Sequence, residues 1–322
     1  MRKTCLLLLI LTLTACAGSA TPVAEPTRYI PPTLDPNIEP TEFLPTLAPT
    51  AAVTPKASLA ATTTRTPGGD STPVATLSAT DWQKWPVVPA ISPRMKAVYQ
   101  KGIELGNNPN TFSKVGDCQN VSSFFLGVYD KPDDYRLGEY KYLQKTIDYF
   151  DGSFSRNSIA VRGGYNVASV LSSLWADPAA CQKGESPLVC EFRHQRPSIV
   201  FISMETWWSG KPVSEYESYL RQIVEYALEQ GAVPILATKA DNWEGDHRIN
   251  AAIARVAADY DVPLWNFWLA VQPLPNHGMS EDGFHLTYAR NFFNDPVRMQ
   301  SAWPVRNLTA LQSLEAVWQA VK

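Results

Sequence analysis

The apolar residues of this chain fall into short runs that alternate with longer amphipathic segments. Three runs are almost wholly apolar, which is typical of strands buried on both faces of a parallel sheet. They are Ser198–Ser203, Ala232–Ala237 and Val262–Phe267. Thr111–Gly116 is predicted to be an earlier strand of the same sheet. Pro234 stands early in its run, where a strand tolerates a proline.

Helical spacing of apolar residues occupies the stretches between these runs. Residues 214–230 place tyrosine, leucine, isoleucine and alanine on one helix face, after a serine and a glutamate spaced as a capping box. A second helix is predicted from a cap at Asp246 to about Tyr260. Two further segments are predicted to be helical, 165–175 and 308–321.

This alternation predicts an α/β domain in which a parallel sheet lies between two layers of helices, the three-layer α/β/α arrangement. In such sheets, sites lie at the carboxyl ends of the strands. Cys118, Thr206 and Asp241 each come just after a predicted strand. We therefore expect these three residues to share one edge of the sheet.

Residues 1–16 have the pattern of a signal peptide. Arg2 and Lys3 give a positive start, and the apolar stretch that follows is too short to span a bilayer. It ends in Leu13-Thr-Ala-Cys16, which resembles a bacterial lipobox. The resemblance implies a lipid on Cys16 and an extracytoplasmic protein anchored to a bacterial membrane surface. The alternative is an ordinary secretory signal with an incidental cysteine.

Residues 17–80 are rich in threonine, proline, alanine and serine and lack a periodic apolar pattern. Such a segment cannot bury a core, so it is predicted to be a disordered stalk. Residues 81–322 are numerous enough for one well-buried domain. The net charge of −3 and the lack of a basic stripe argue against a nucleic-acid partner.

The remaining cysteines suit an exported protein. Cys181 and Cys190 enclose a loop with glycine and proline and are predicted to form a disulfide. A zinc site is the alternative, for which His194 is the nearby histidine. Cys118 is then an unpaired thiol in an oxidising compartment, which requires an explanation. No HExxH, paired CxxC or calcium-loop motif occurs, so we expect neither a metal nor another cofactor.

Asp282-Gly-Phe-His285 carries the most specific chemical pattern. A carboxylate three residues before a histidine, on a short loop, can orient the imidazole towards a nucleophile from elsewhere in the fold. The candidate nucleophile is Cys118, in Gly116-Asp-Cys118 at the end of a predicted strand.

These two segments resemble the two ends of the SGNH, or GDSL, hydrolase superfamily, with cysteine where the family has serine. The resemblance extends over about residues 110–295 and comprises four blocks in the family's order. They are Gly116-Asp117-Cys118, then Gly163 or Gly164, then Thr206 at the place of the family's asparagine, and finally Asp282 with His285. The third block departs from the family pattern.

The resemblance implies a role for each matched residue. Cys118 is the nucleophile, His285 moves its proton, and Asp282 orients the imidazole. The backbone N–H groups of Cys118 and of Gly163 or Gly164 face the developing oxyanion. A nearby His285 is also expected to lower the pKa of the Cys118 thiol.

Three residues beside this constellation have more than one interpretation. Thr206 can offer a hydroxyl to an oxyanion, although its reach is shorter than that of asparagine. Glu205 can act as a base or bind a sugar hydroxyl, or it can form a structural salt bridge with Arg162. Trp207 and Trp208 form an aromatic pair that can stack on a sugar or polymer.

The sequence thus favours a surface lipoprotein with an SGNH-like esterase or acyl-hydrolase domain, acting on an acyl ester of extracellular or envelope carbohydrate. The alternative is a catalytically degenerate domain of the same fold that binds a glycan or other ligand without turnover. A third hypothesis, a stalked structural or adhesion protein, predicts no pocket near Cys118.

Overall fold

A computed structural model of the protein describes residues 78–207 and 210–322. The predicted signal peptide with Cys16, the linker up to residue 77, and Trp208 lie outside the described residues. None of the helices in the described part of the chain combines the length and apolarity needed to cross a membrane.

The strands of the described residues form one sheet of four strands and one pair. They are β1 (Asn108–Gly116), β2 (Tyr135–Arg136), β3 (Pro197–Ser203), β4 (Val233–Ala237), β5 (Leu264–Trp265) and β6 (Asn291–Phe292). The main sheet has the order β1-β3-β4-β5, and every neighbouring pair in it is parallel. Strands β2 and β6 make a separate parallel pair.

Helices follow the strands and pack in two groups. The α-helices of the described residues are α1 (Arg94–Glu104), α2 (Gln144–Tyr149), α3 (Pro187–Gln195), α4 (Val213–Glu229), α5 (Arg248–Tyr260), α6 (Phe267–Val271) and α7 (Ala302–Val321). Helix α1 contacts α7, and α4 contacts α5. The prediction of an α/β fold with a parallel sheet is confirmed.

Aromatic side chains fill the core beneath the main sheet. Phe201 of β3 has its ring centroid 5.8 Å from those of Phe112 and Phe125 and 6.1 Å from that of Trp265. All residues of β3 and β4 are buried, as their nearly continuous apolar runs predict. The guanidinium of Arg306, from α7, lies 5.0 Å above the Phe125 ring.

The prediction of a helix over residues 165–175 is wrong. This stretch forms two short 3₁₀ turns, Ser169–Leu171 and Ser173–Trp175. The side chain of Asn166 accepts hydrogen bonds from the backbone N–H groups of Ala168 and Ser169. Such side-chain acceptors compete with helical hydrogen bonds, which explains why the apolar spacing alone misled.

Element ends also differ from the sequence prediction. Strand β5 stops at Trp265, because the side chain of Asn266 accepts the N–H of Leu269 and begins α6. Helix α4 begins one residue before Ser214, with Pro212 at its N-cap and no side-chain cap, so the predicted capping box is absent.

The folded domain, predicted to begin at residue 81, includes a 3₁₀ helix that begins at Ala79. The 3₁₀ helix Ala79–Lys84 opens the described region, and Trp82 and Trp85 are buried. Asn266 donates to the carbonyl oxygens of both tryptophans, at 2.9 Å each. These contacts fix the entry segment to the end of β5.

Gly102 and Gly231 bring α1 against the chain between α4 and β4. A Cβ built on Gly102 would lie 2.1 Å from the carbonyl oxygen of Gly231. Alanine in the middle of a helix is normally more stable than glycine by about 0.5–1 kcal/mol. Gly102→Ala should instead lower the free energy of unfolding by about 1–3 kcal/mol, because the backbone must move apart.

Urea unfolding of Gly102→Ala measures this effect. Ser218→Ala, at an exposed position of α4, is the matched control and should leave stability unchanged or slightly raised. A stabilised Gly102→Ala variant would show that the close approach of the two backbones is not a constraint.

Candidate active site

Cys118 lies directly after β1, on a turn built by its neighbours. The side chain of Asp117 accepts the N–H of Gln119 at 3.0 Å and caps the 3₁₀ turn Cys118–Asn120. A Cβ on Gly116 would lie 2.1 Å from the Asn120 amide nitrogen, so glycine is required there. The thiol is half-buried.

The same Asp117 carboxylate ties this turn to the end of β3. Its Oδ2 accepts the N–H groups of Glu205 and Thr206 at 2.9 and 3.0 Å. Asn120 adds a hydrogen bond to the carbonyl oxygen of Ser203 at 2.8 Å. The predicted shared edge of the sheet therefore exists at these two strand ends.

Gly163 lies beside Cys118 on the other side of β1. Val161 pairs with Gly116 in parallel register, which brings the following glycines to the turn. A Cβ on Gly163 would lie 3.8 Å from the Cys118 Cβ, whereas one on Gly164 would meet no atom within 4 Å. Of the two candidates, Gly163 is the one that is adjacent to the thiol.

Asp282 and His285 form a hydrogen-bonded pair on an exposed loop. The Asp282 Oδ2 lies 2.5 Å from His285 Nδ1, and Oδ1 accepts the N–H groups of Phe284 and His285. The hydrogen bond from His285, followed by those from the two backbone groups, holds the pKa of the Asp282 carboxyl well below its usual range. Asp282 is thus ionised and fixes Nδ1 as the protonated ring nitrogen, which leaves Nε2 to accept a proton.

The loop with His285 is fastened to the cysteine turn. The side chain of Gln119 donates to the carbonyl oxygen of Phe284 at 3.2 Å, so the residues next to Cys118 and next to His285 are in direct contact. Within the described residues, the thiol and the imidazole make no hydrogen bond to each other. Catalytic hydrogen bonds often tighten only when substrate is bound.

The pKa of Cys118 is raised to about 11, opposite to the expected effect of His285. Burial of the thiol is the main cause, and the negative charges of Asp117 and Glu205 add to it. The thiol is therefore protonated at neutral pH. A reaction at Cys118 needs a base that takes the proton during attack, because no thiolate is formed beforehand.

Glu205 pairs with Arg306 and not with Arg162. The Arg306 Nη2 lies 2.9 Å from Glu205 Oε1, and both side chains are almost fully buried. Burial raises the pKa of the Glu205 carboxyl to about 7, although Arg306 opposes this shift. The sequence could not identify the partner, because it comes from the last helix.

The hydroxyl of Thr206, predicted as a donor to an oxyanion, donates to Asp117 Oδ2 at 3.1 Å. That donor is already engaged with a carboxylate. Of the groups predicted to face an oxyanion, the backbone N–H groups of Cys118 and Gly163 are the ones that stay candidates.

A cavity of about 610 Å³ borders the Asp282–His285 loop and the ends of β3 and β4. Its walls combine carboxylates, aromatic rings and the imidazole. They include Glu205, Thr206, Asp241, Trp243, Phe284 and His285. The predicted aromatic residue Trp207 also lines it and packs against Tyr216, with ring centroids 5.7 Å apart.

A buried charge cluster at the end of β4 was missed in the sequence. The Lys239 Nζ lies 2.7 Å from Asp241 Oδ1 and 2.6 Å from Glu244 Oε2. Burial raises the pKa of Asp241, in opposition to Lys239. For Lys239, burial acts against the charged form, but the two carboxylates outweigh it and raise its pKa. The position of Lys239 just after a buried strand was the available signal.

Cys181 and Cys190 are joined by a disulfide, with a Cα–Cα distance of 5.3 Å. Glu185 is close to both sulfurs but pairs with Arg193 at 2.6 Å. His194 contacts the carbonyl oxygen of Ala180. Disulfide sulfurs carry no thiolate charge, so this cluster does not offer the ligands of the alternative zinc site.

No family model matches the chain, and no curated protein matches it. The described fold is similar to that of several solved structures, among them esterases and a GDSL-like lipase. One is the psychrotrophic esterase EstA from Pseudoalteromonas sp., which aligns with a TM-score of 0.40 and 16% identity and covers 64% of this chain and 97% of that chain. Another is TesA, with a TM-score of 0.39 and 19% identity over 66% of this chain and 98% of that chain. A GDSL-like lipase from Bacteroides thetaiotaomicron aligns with a TM-score of 0.38 and 15% identity, covering 69% of this chain and 98% of that chain.

The raised pKa of Cys118 predicts slow alkylation at neutral pH. Its rate of reaction with iodoacetamide should increase about tenfold per pH unit from pH 7 to 10, because the thiolate fraction grows until the pKa of about 11. Peptide mass spectrometry at a series of pH values measures this rate. The alkylation rate of free cysteine in the same mixture should become constant at a lower pH. A rate for Cys118 that is already constant at pH 7 would contradict the raised pKa.

The raised pKa of Glu205 predicts a pH-dependent stability. The native protein keeps this proton up to about pH 7, whereas the unfolded chain loses it near the ordinary value of 4.5. The contribution of Glu205 is therefore full below pH 4.5 and is lost as the pH rises through 7. Glu205→Gln should flatten this decline, as measured by urea unfolding at pH 5 and pH 8.

Asp246→Asn is the control, because Asp246 is half-exposed in its pair with Arg248 and its pKa is lowered. The protonation of Asp246 therefore changes stability only at more acidic pH, below the range from pH 5 to pH 8 that is measured. An unchanged slope in Glu205→Gln would show that Glu205 titrates normally beside Arg306.

Proposed function

We propose that this domain hydrolyses carboxylic esters through Cys118, His285 and Asp282. The observation that carries the proposal is the hydrogen-bonded Asp282–His285 pair, which lines the cavity and whose loop is joined through Gln119 to the turn that bears Cys118. A nucleophile, a base and a group that orients the base are the parts that acyl transfer requires.

The first half of the reaction forms a thioester. His285 Nε2 takes the proton of Cys118 as Sγ attacks the carbonyl carbon of the ester. The oxyanion faces the backbone N–H groups of Cys118 and Gly163. When the C–O bond breaks, the imidazolium gives its proton to the leaving alcohol, and the acyl group remains on sulfur.

The second half releases the acid. His285 takes a proton from water, whose oxygen attacks the thioester carbonyl. The thiol then departs with a proton from the imidazolium, so the enzyme returns to its starting state. Asp282 stabilises the imidazolium in both halves without taking the proton itself.

Two features predict a slow enzyme. The Cys118 thiol must lose its proton against a pKa of about 11. The hydroxyl of Thr206 donates to Asp117, and loss of one oxyanion donor costs roughly 100- to 1000-fold in rate. The same features support a second candidate, a degenerate domain that binds its ligand without turnover.

We further propose that the substrate is an acyl ester of extracellular or envelope carbohydrate and that lipid on Cys16 holds the domain at a bacterial membrane surface. Support for the location comes from the lipobox pattern of residues 13–16 and the stalk composition of residues 17–80. The aromatic and carboxylate walls of the cavity support the carbohydrate.

Hydrolysis of a short-chain aryl acetate by residues 78–322 and by the full chain tests the proposal. Cys118→Ala and His285→Ala should each abolish turnover above background, since each removes a group that forms or breaks a bond. Asp282→Asn should retain the loop but lower kcat strongly, by up to about 10,000-fold, because the imidazole loses its orientation.

Cys118→Ser distinguishes the two candidates. A silent wild type together with an active Cys118→Ser variant would support a degenerate site on a serine-hydrolase arrangement. Turnover that survives in Cys118→Ala would refute the proposed nucleophile.

A further inference from the structure

Trp243 is a large aromatic side chain that the fold leaves open to solvent. It is 69% exposed, although its residue lines the cavity beside His285. Its ring meets Phe284 edge to face, with centroids 6.3 Å apart and an angle of 82°. The Phe284 ring also meets the His285 ring edge to face, with centroids 5.2 Å apart, so Phe284 lies between the indole and the imidazole in the wall of one cavity.

The loop that carries Trp243 is held in place before any ligand binds. Asp241 Oδ1 accepts the Trp243 N–H at 3.0 Å and the Lys239 ammonium at 2.7 Å. Glu244, on the other side of the tryptophan, pairs with the same ammonium. The side chain of Asn242 accepts the N–H of His247 at 2.8 Å. These bonds hold the backbone of the loop in place, which lowers the cost of ordering it when a ligand binds.

Two carboxyl side chains in the walls of this cavity each keep one oxygen atom without a hydrogen-bond partner. Oδ2 of Asp241 and Oε2 of Glu205 are buried and have no partner among the described residues. A buried polar atom without a partner is costly, and such groups often find their partner in a ligand or a bound water. The ionised form of these oxygens needs a donor and the protonated form needs an acceptor, and a ligand hydroxyl can supply either.

Charges of both signs lie in the walls of the cavity. Two carboxylates face the Lys239 ammonium, and Lys211 and Arg248 add positive charge. A ring with an apolar face and several hydroxyl donors satisfies both the indole and the carboxylates.

We propose that Trp243 and Asp241 form a glycosyl subsite, in which a sugar ring stacks on the indole and its hydroxyls donate to the Asp241 carboxylate. The inference rests on the proposed function, since the subsite holds the carbohydrate whose ester carbonyl reaches Cys118 and His285. It assigns substrate selection to the loop after β4, separately from the groups that react.

Comparison of two acetate esters tests the subsite. The first is a methyl O-acetylglucopyranoside, and the second is ethyl acetate, which has neither a sugar nor an aromatic ring. Trp243→Ala should raise KM for the sugar ester about tenfold, the size of one aromatic stacking contact, and leave kcat/KM for ethyl acetate within about twofold. Trp243→Phe should restore most of the affinity.

Asp241→Asn keeps the side-chain shape but weakens its acceptor, and it should also raise KM for the sugar ester selectively. Tyr142→Ala is the matched control, since Tyr142 is a 55% exposed aromatic residue that is not among the cavity walls. It should change the hydrolysis of neither ester. Equal losses for both esters in Trp243→Ala, or no loss for either, would overturn the subsite.

Calorimetric binding of methyl glucopyranoside to Cys118→Ala keeps this test separate from catalysis. If wild type hydrolyses neither ester, the proposed function fails, but the subsite still predicts binding that Trp243→Ala weakens about tenfold. The comparison is between Cys118→Ala and the double variant Cys118→Ala/Trp243→Ala. Equal binding of the glycoside by these two proteins, or binding by neither, would contradict the subsite itself.

Discussion

The buried carboxylate of Asp117 is the interaction on which the candidate site depends. One oxygen caps the turn of Cys118, and the other accepts the backbone N–H groups of Glu205 and Thr206. A single side chain thus joins the ends of β1 and β3 and sets the position of the thiol. The same oxygen takes the Thr206 hydroxyl, so the anchor of the site also occupies the side-chain donor expected for an oxyanion.

Charge and burial around this anchor determine the chemistry that is available. Burial and, after it, the negative groups Asp117 and Glu205 raise the pKa of Cys118, so in the proposed mechanism the thiol needs His285 to take its proton. Asp282, by contrast, lies on an exposed loop and is kept ionised by direct hydrogen bonds. The pKa values of the nucleophile Cys118 and of the orienting carboxyl group of Asp282 are therefore shifted in opposite directions. Behind them, Arg306 carries its charge among four aromatic rings and meets Glu205 in the core.

Local patterns predicted the four strands of the main sheet and their shared edge, because buried parallel strands need continuous apolar runs. They also identified Asp282 and His285, which are close in sequence. They failed where a distant residue decides the outcome. Asn166 redirects backbone hydrogen bonds away from a helix, and Arg306 reaches Glu205 from α7. The sign of the Cys118 pKa shift depends on burial, which no spacing of residues reports.

Whether Cys118 is the nucleophile can be decided from the mass of the protein soon after it is mixed with a reactive acetate ester. Attack by Cys118 predicts a transient gain of one acetyl group, located on Cys118 by peptide mapping and removed by hydroxylamine, as expected of a thioester. Release of acetate with the acetyl group on another residue, or with no covalent intermediate on Cys118 at any time during turnover, would show that Cys118 is not the nucleophile.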